Sequence, residues 1–246
     1  MKPFVWVLAL VMLFAQWAFA DNKIVFNVSP SGYPPYMFKG ANGQAQGIVY
    51  DVLNRVATKH GYEVVVVGVP KKRVILQLRS GELDATALAK EWVKNPEDFE
   101  FSDIIVQARD VLFSLKEKPI KFDSIEDLYG KTVGIHLGYS YPLLAEAFSK
   151  KYITTSVVNT ETAMLGKVYM ERSDAAVVNE LVGQWLIKNT PHWRNQFVIS
   201  KREIGGFDYR IQFSKKWKDF VVKVNKELAQ MKRDGSLEAI KSKYKL

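Results

Sequence analysis

The sequence predicts an α/β protein built from doubly wound units. Strand-like and helix-like stretches alternate between residues 24 and 89, and a similar alternation runs from residue 131 to residue 178. Residues 62–67 form a continuous, largely β-branched run, the pattern of a strand buried on both faces of a parallel sheet. A chain of 246 residues makes one large domain or two of ordinary size, and either is long enough to bury a sizeable core.

The chain opens with Met1-Lys2-Pro3, an apolar run from Phe4 to Ala15, and the small-x-small ending Ala18-Phe19-Ala20. A basic start, an apolar stretch too short to span a bilayer comfortably and a small-residue cleavage site form a secretory signal peptide over residues 1–20. The mature chain is expected to begin near Asp21, exported and soluble. No cysteine follows the leader, so a lipid anchor is not expected.

The first strand, Ile24-Val25-Phe26-Asn27-Val28, is stopped by Pro30-Ser31-Gly32-Tyr33-Pro34-Pro35-Tyr36. These prolines stiffen the backbone beyond the strand's carboxyl end, where open α/β sheets bind ligands. Tyr33 and Tyr36 are therefore candidate ligand contacts; the alternative is a surface turn whose tyrosines cover apolar neighbours. Ile48, Val49, Val52, Leu53, Val56 and Ala57 recur at helical spacing, and Gly61 stops that helix near His60. A second helix starts at Pro70 with Val74, Ile75 and Leu78 apolar, Gly81 closes it, and residues 84–89 form a third strand.

Seven stretches in order now carry a family resemblance: Tyr33-Pro34-Pro35-Tyr36, Gly47 with Asp51-Val52-Leu53, Ser80-Gly81-Glu82-Leu83-Asp84-Ala85, Phe101-Ser102-Asp103, Leu128-Tyr129-Gly130-Lys131-Thr132-Val133-Gly134, Asp174-Ala175-Ala176, and Asp234-Gly235-Ser236-Leu237. Together they resemble the family 3 periplasmic solute-binding proteins, over essentially the whole mature chain. The resemblance implies a type II periplasmic-binding-protein fold, in which two lobes joined by two crossing strands hold one small solute in the cleft between them. Lobe 1 is expected at residues 21–107 and 209–246, and lobe 2 at 108–208.

The chain departs from the amino-acid-binding members of that family where an arginine would hold the ligand's α-carboxylate. Counting back from Phe101-Ser102 puts Asn95 there, and matching Pro96-Glu97 puts Asp98 there. Arg73, Lys90, Lys94 and Arg109 are the remaining cationic candidates, each with solvated surface charge as its alternative role. Trp92 stacks on a ligand or belongs to the lobe edge.

Residues 104–115 read as the first crossing. The loop Leu137-Gly138-Tyr139-Ser140-Tyr141 follows a strand and precedes a helix near Pro142, an arrangement that presents N–H groups to an anion. Tyr139 and Ser140 are its expected contacts, with His136 lining the cleft or serving structure. Asn179 stands where amino-acid binders commonly carry an aspartate for the ligand's ammonium group, and its alternative role is to cap the next helix. Residues 197–201 read as the last strand of lobe 2, Gly205-Gly206 as a joint, and residues 207–213 as the second crossing. The helical stripe of Trp217, Phe220, Val221, Val224, Leu228 and Met231 closes lobe 1.

The sequence has no cysteine, three histidines and no Walker-type loop, so thiol chemistry, metal clusters and nucleotide hydrolysis by that route are not expected, nor is a cofactor. Its net charge of +9 is spread in short groups, which suits solubility and a mild attraction for anions rather than a nucleic-acid partner. The expected function is that of a monomeric periplasmic binding protein, not an enzyme, that captures a small polar, amino-acid-like or anionic solute and delivers it to an ABC-type permease. A sensory module for a membrane receptor and a dehydratase-like enzyme are the alternatives. Standard α-amino acids are expected to bind poorly, and a ligand with an anionic group and aromatic or apolar bulk to bind better.

Overall fold

The computed structural model describes residues 22–244, so the expected leader lies outside the described residues. The first half of the chain runs β1 (Lys23–Asn27), a hairpin of β2 (Phe38–Lys39) and β3 (Ala45–Gln46), α1 (Ile48–Lys59), β4 (Glu63–Val67), α2 (Lys71–Ser80), β5 (Ala85–Ala89), β6 (Phe99–Phe101) and β7 (Val106–Leu115). The second half continues with β8 (Thr132–His136), α3 (Ala145–Ser149), β9 (Thr154–Val158), α4 (Glu161–Tyr169), β10 (Ala175–Asn179), α5 (Glu180–Asn189), β11 (Phe197–Ser214), α6 (Lys218–Arg233) and α7 (Ser236–Ser242).

Nine strands form one sheet in the order β4, β1, β5, β11, β7, β10, β8, β9, with β6 also pairing with β11. The strands β4, β1 and β5 are mutually parallel, and so are β10, β8 and β9. Between these two parallel groups run β7 and β11, antiparallel to each other and to their outer neighbours. These are the two expected crossing strands. Each parallel group has its own apolar core: Phe26, Leu53 and Phe213 centre the first, Leu112 and Leu128 the second.

Local sequence explains most elements. All six apolar positions of the α1 stripe are buried, and Phe220, Val221, Val224, Leu228 and Met231 form the buried face of α6. Thr160 caps α4 by accepting from the Ala163 N–H at 3.1 Å. Gly47, at φ 123°, lets the chain enter α1 against the tyrosine turn, since a Cβ there would sit 2.6 Å from the Tyr36 carbonyl oxygen. A Cβ on Gly183 would lie 2.2 Å from the Phe113 ring, so that glycine is what allows α5 to seat closely on β7.

Three expectations change. The valine run of β4 is not buried on both faces: β4 is an edge strand and its valines are half-buried, because helices do not fully cover the sheet's end. Gly205-Gly206 does not separate two strands. Residues 197–214 form one strand whose pairing with β7 shifts register between Ile199 and Gly205, so the irregularity is absorbed without breaking the ladder. The helix after the Tyr139 loop is a 3-10 turn, Pro142–Leu144, leading into the five residues of α3, too short to sum a strong dipole.

Candidate functional site

The tyrosine turn is braced by its own backbone: the Tyr33 N–H donates to the Met37 carbonyl at 2.7 Å, and the Tyr36 N–H to the Tyr33 carbonyl at 2.9 Å. This stacks the Tyr33 and Tyr36 rings, with centroids 5.7 Å apart and planes 15° from parallel. Phe207 and Tyr209, two residues apart on β11, share one face of the sheet. Tyr209 packs 4.3 Å from Tyr36 and 5.0 Å from Phe207. Because Tyr209 is paired with Ala89, the short turn after β5 brings Trp92 onto the same face, its ring 4.4 Å from Phe207 and the residue 54% exposed. Turn, strand and loop thus converge on one aromatic wall.

Facing that wall are groups from the other half of the sheet. The Tyr36 hydroxyl donates to Asn179 Oδ1 at 2.7 Å, and the same oxygen accepts from the Val182 N–H at 3.3 Å. Asn179 therefore caps α5 while also bonding to the tyrosine turn. Its Nδ2 is buried beside the Asp110 carboxylate, with no hydrogen bond of ordinary length. Directly across the β7–β10 pairing stands Asp110. Burial raises its carboxyl above the ordinary aspartate range; the adjacent Asn179 amide opposes that rise and the Glu161 charge adds to it. Tyr139 stacks on His136 at 4.1 Å and places its hydroxyl 3.4 Å from Glu161 Oε1. The Tyr141 hydroxyl accepts from the His136 N–H at 2.9 Å. Burial pushes the phenols of Tyr139 and Tyr141 up to about 12, and holds those of Tyr33, Tyr36 and Tyr209 well above the usual value.

The expected cationic contacts fare differently. Arg109 is fully engaged: its Nη2 donates to the Lys201 carbonyl at 2.8 Å, its Nε to Glu203 at 3.2 Å and its Nη1 to Glu180 at 3.3 Å. Glu180 is directed at Arg109, not into the cluster. Arg73 is exposed on the first turn of α2, and Lys90 lies over the Phe101 ring at 5.7 Å; neither bonds to the cluster. Asn95 is exposed, and Asp98 is paired with Arg79 at 2.6 Å. Ser140 is exposed in its loop and joins no polar contact with the aromatic wall. The charged group set directly across from Asn179 is the carboxylate of Asp110.

The structure therefore brings together Tyr33, Tyr36, Trp92, His136, Tyr139 and Asn179, and leaves Arg73, Lys90, Arg109 and Ser140 outside the cluster. Sequence reasoning missed Asp110, Tyr141, Glu161, Phe207 and Tyr209. A signal for two of them was present: Phe207, Tyr209, Ile211 and Phe213 alternate, which places them on one face of a strand. A carboxylate at position 110, amid the apolar residues of β7, was a second signal.

Two parallel strand groups bridged by two crossing strands, with a polar and aromatic cluster between them, define a two-lobed solute-binding protein. The chain belongs to the bacterial extracellular solute-binding proteins of family 3, whose sequence model matches residues 24–246. It is 27% identical over 227 residues to the arginine-binding extracellular protein ArtP of Bacillus subtilis (strain 168), covering 91% of this chain and 86% of that one. Among solved structures, an ancestral cationic amino acid solute-binding protein superposes with a TM-score of 0.76 at 21% identity, over 92% of this chain and 96% of the other. A histidine kinase sensor domain similar to periplasmic binding proteins superposes with a TM-score of 0.68 at 23% identity, over 90% and 95% of the two chains. At those identities the two structures show a shared fold. The family and the curated relatives are binding proteins, and this chain is a binding protein rather than an enzyme.

Proposed function

We propose that this protein is exported to the periplasm, captures a small, polar, amino-acid-like solute between its two lobes, and hands it to an ABC-type permease. Lobe 1 comprises residues 21–107 and 209–246, and lobe 2 residues 108–208. The observation that carries the reading is the Tyr36–Asn179 hydrogen bond, which joins the tyrosine turn of one lobe to the end of β10 in the other. A solute contacting Tyr33 and Tyr36 on one side and Tyr139 and Asn179 on the other would touch both lobes only when they are closed, so binding would shift the hinge equilibrium toward closure. The likeness to a kinase sensor domain keeps a sensory role as the second reading, since capture chemistry is the same in both.

The test has two stages. A thermal-shift screen of the mature protein against a solute library identifies the ligand, because binding at 100 times the dissociation constant adds about 2.7 kcal/mol. Deleting the gene should then abolish cellular uptake of that solute. Uptake left intact, with a transcriptional response to the solute lost, would replace transport by sensing.

A further inference from the structure

We propose that the outer face of α6, on lobe 1, is a docking surface for an anionic lipid bilayer. The inference goes beyond solute capture and does not depend on which solute is captured.

The argument begins with where the positive charge lies. Residues 21–107 carry ten Lys and Arg against ten Asp and Glu, and residues 108–208 thirteen against twelve, so each of these stretches is close to neutral. Residues 209–246 carry eleven against four. Nearly all of the mature chain's net charge therefore sits in the last segment, which supplies α6 and α7 to lobe 1. Ion pairs absorb some of its cations: Lys215 pairs with Glu100, Lys216 with Asp84, Lys241 with Glu238 and Lys243 with Asp51. The cations of α6 are not absorbed. Among the described residues, Lys218, Lys223, Lys226 and Lys232 have no acidic partner, and Arg233 donates to the neutral Gln230 side chain at 2.8 Å.

Helical spacing gathers these charges on one side. Phe220, Val221, Val224, Leu228 and Met231 are buried, which turns Lys218, Val222, Lys226 and Arg233 outward. They form a ridge about 22 Å long at about 1.5 Å per residue, with Lys223 on its flank. Val222, at its middle, is 66% exposed. The acids of the helix do not cancel this ridge: Glu227 is bonded to Lys59 at 2.7 Å, which leaves Asp219 as its one uncommitted acid. Lys223 and Lys226, one turn apart, repel each other, and an anionic partner offsets that cost.

The chemistry favours lipid over an acidic protein. Four of these five cations are lysines, compact charges on flexible stems that suit a diffuse field of headgroups, whereas recognition of particular carboxylates favours the planar fork of arginine. The face also starts clear of the solute site. Helix α6 follows the Ser214 end of β11, and the antiparallel pairing of β11 with β5 sets that end of the strand away from Tyr209, Ala89 and the aromatic wall.

The test is sedimentation of the mature protein with vesicles. At low salt it is expected to bind vesicles of equal parts phosphatidylglycerol and phosphatidylcholine, to ignore pure phosphatidylcholine, and to be released in about 1 M salt, where the screening length falls to about 3 Å. The combined variant Lys218→Glu, Lys223→Glu and Lys226→Glu, checked for native circular dichroism, should weaken binding at least about a hundredfold, since each lysine at an anionic surface contributes roughly fivefold. Lys218→Gln, Lys223→Gln and Lys226→Gln together serve if charge reversal disturbs the fold. A control on lobe 2, Lys116→Glu, Lys121→Glu and Lys151→Glu, changes net charge equally and should weaken binding less than about tenfold. Equal losses in the two reversals would show that binding follows net charge and would overturn the assigned face. No binding to the anionic vesicles, or binding that resists salt, would overturn the inference; retention only on vesicles that carry membrane proteins would overturn it in favour of an acidic protein partner. Solute capture is read separately, by the thermal-shift screen, so either reading can fail without the other.

Discussion

The phenol of Tyr36 donates to Asn179 Oδ1 at 2.7 Å, although 143 residues separate the two in the chain. Both side chains are buried, so the bond is shielded from competing water. Tyr36→Phe removes the donor and leaves Asn179 Oδ1 with the Val182 N–H alone. The expected cost is about 0.5–1.5 kcal/mol of stability in urea titration. A variant as stable as the parent would show that the bond contributes nothing net.

Asp110→Asn is expected to stabilise the protein in ligand-free buffer at pH 7. The folded carboxyl is raised, chiefly by burial, so the folded state binds its proton more readily than the unfolded chain does. The charged aspartate is therefore a destabilising group above its folded pKa. Asparagine should hold an advantage there that shrinks as the pH falls through the folded value toward the ordinary aspartate value of about 3.9. Paired thermal melts between pH 4 and pH 8, on the order of one pH unit apart, check the sign; an advantage that grows in acid would reverse the assignment.

Arg109→Lys should lower stability without altering ligand preference. An ammonium group cannot reach Glu180, Glu203 and the Lys201 carbonyl together as the planar guanidinium does. The side chain is 40% exposed, so the loss is expected to be modest, about 1 kcal/mol. If Arg109 instead receives a ligand carboxylate, the substitution would weaken calorimetric binding of carboxylate-bearing solutes more than of amines that lack one.

Tyr33→Ala is expected to weaken ligand binding while preserving the fold. Tyr33 is partly exposed and stacks on Tyr36, which itself remains packed on Tyr209. Lost ring contact with the ligand should cost about 0.5–1.5 kcal/mol beyond the area removed. Unchanged affinity for whichever solute the screen identifies would take Tyr33 out of the site.

The sequence by itself determined the α/β class and the order of most strands and helices, and it marked the tyrosine turn as a candidate site element. These follow from local physics: apolar spacing decides which face of α1 or α6 is buried, and prolines stiffen the turn wherever it lies. Against the family's amino-acid-binding members, the resemblance implies that Asn95 or Asp98 stands where they carry a carboxylate-holding arginine. What replaces that arginine was not legible, because a charge's role depends on its neighbours and those come from distant segments. Arg109 and Asp110 are adjacent in the sequence, yet strand alternation sends them to opposite faces. One reaches three oxygens, and the other is half-buried opposite Asn179. Only the antiparallel pairing of β7 with β10 set Asp110 opposite Asn179. Which residues face one another across a sheet is fixed by strand pairing between distant segments, and no local pattern in the sequence records it.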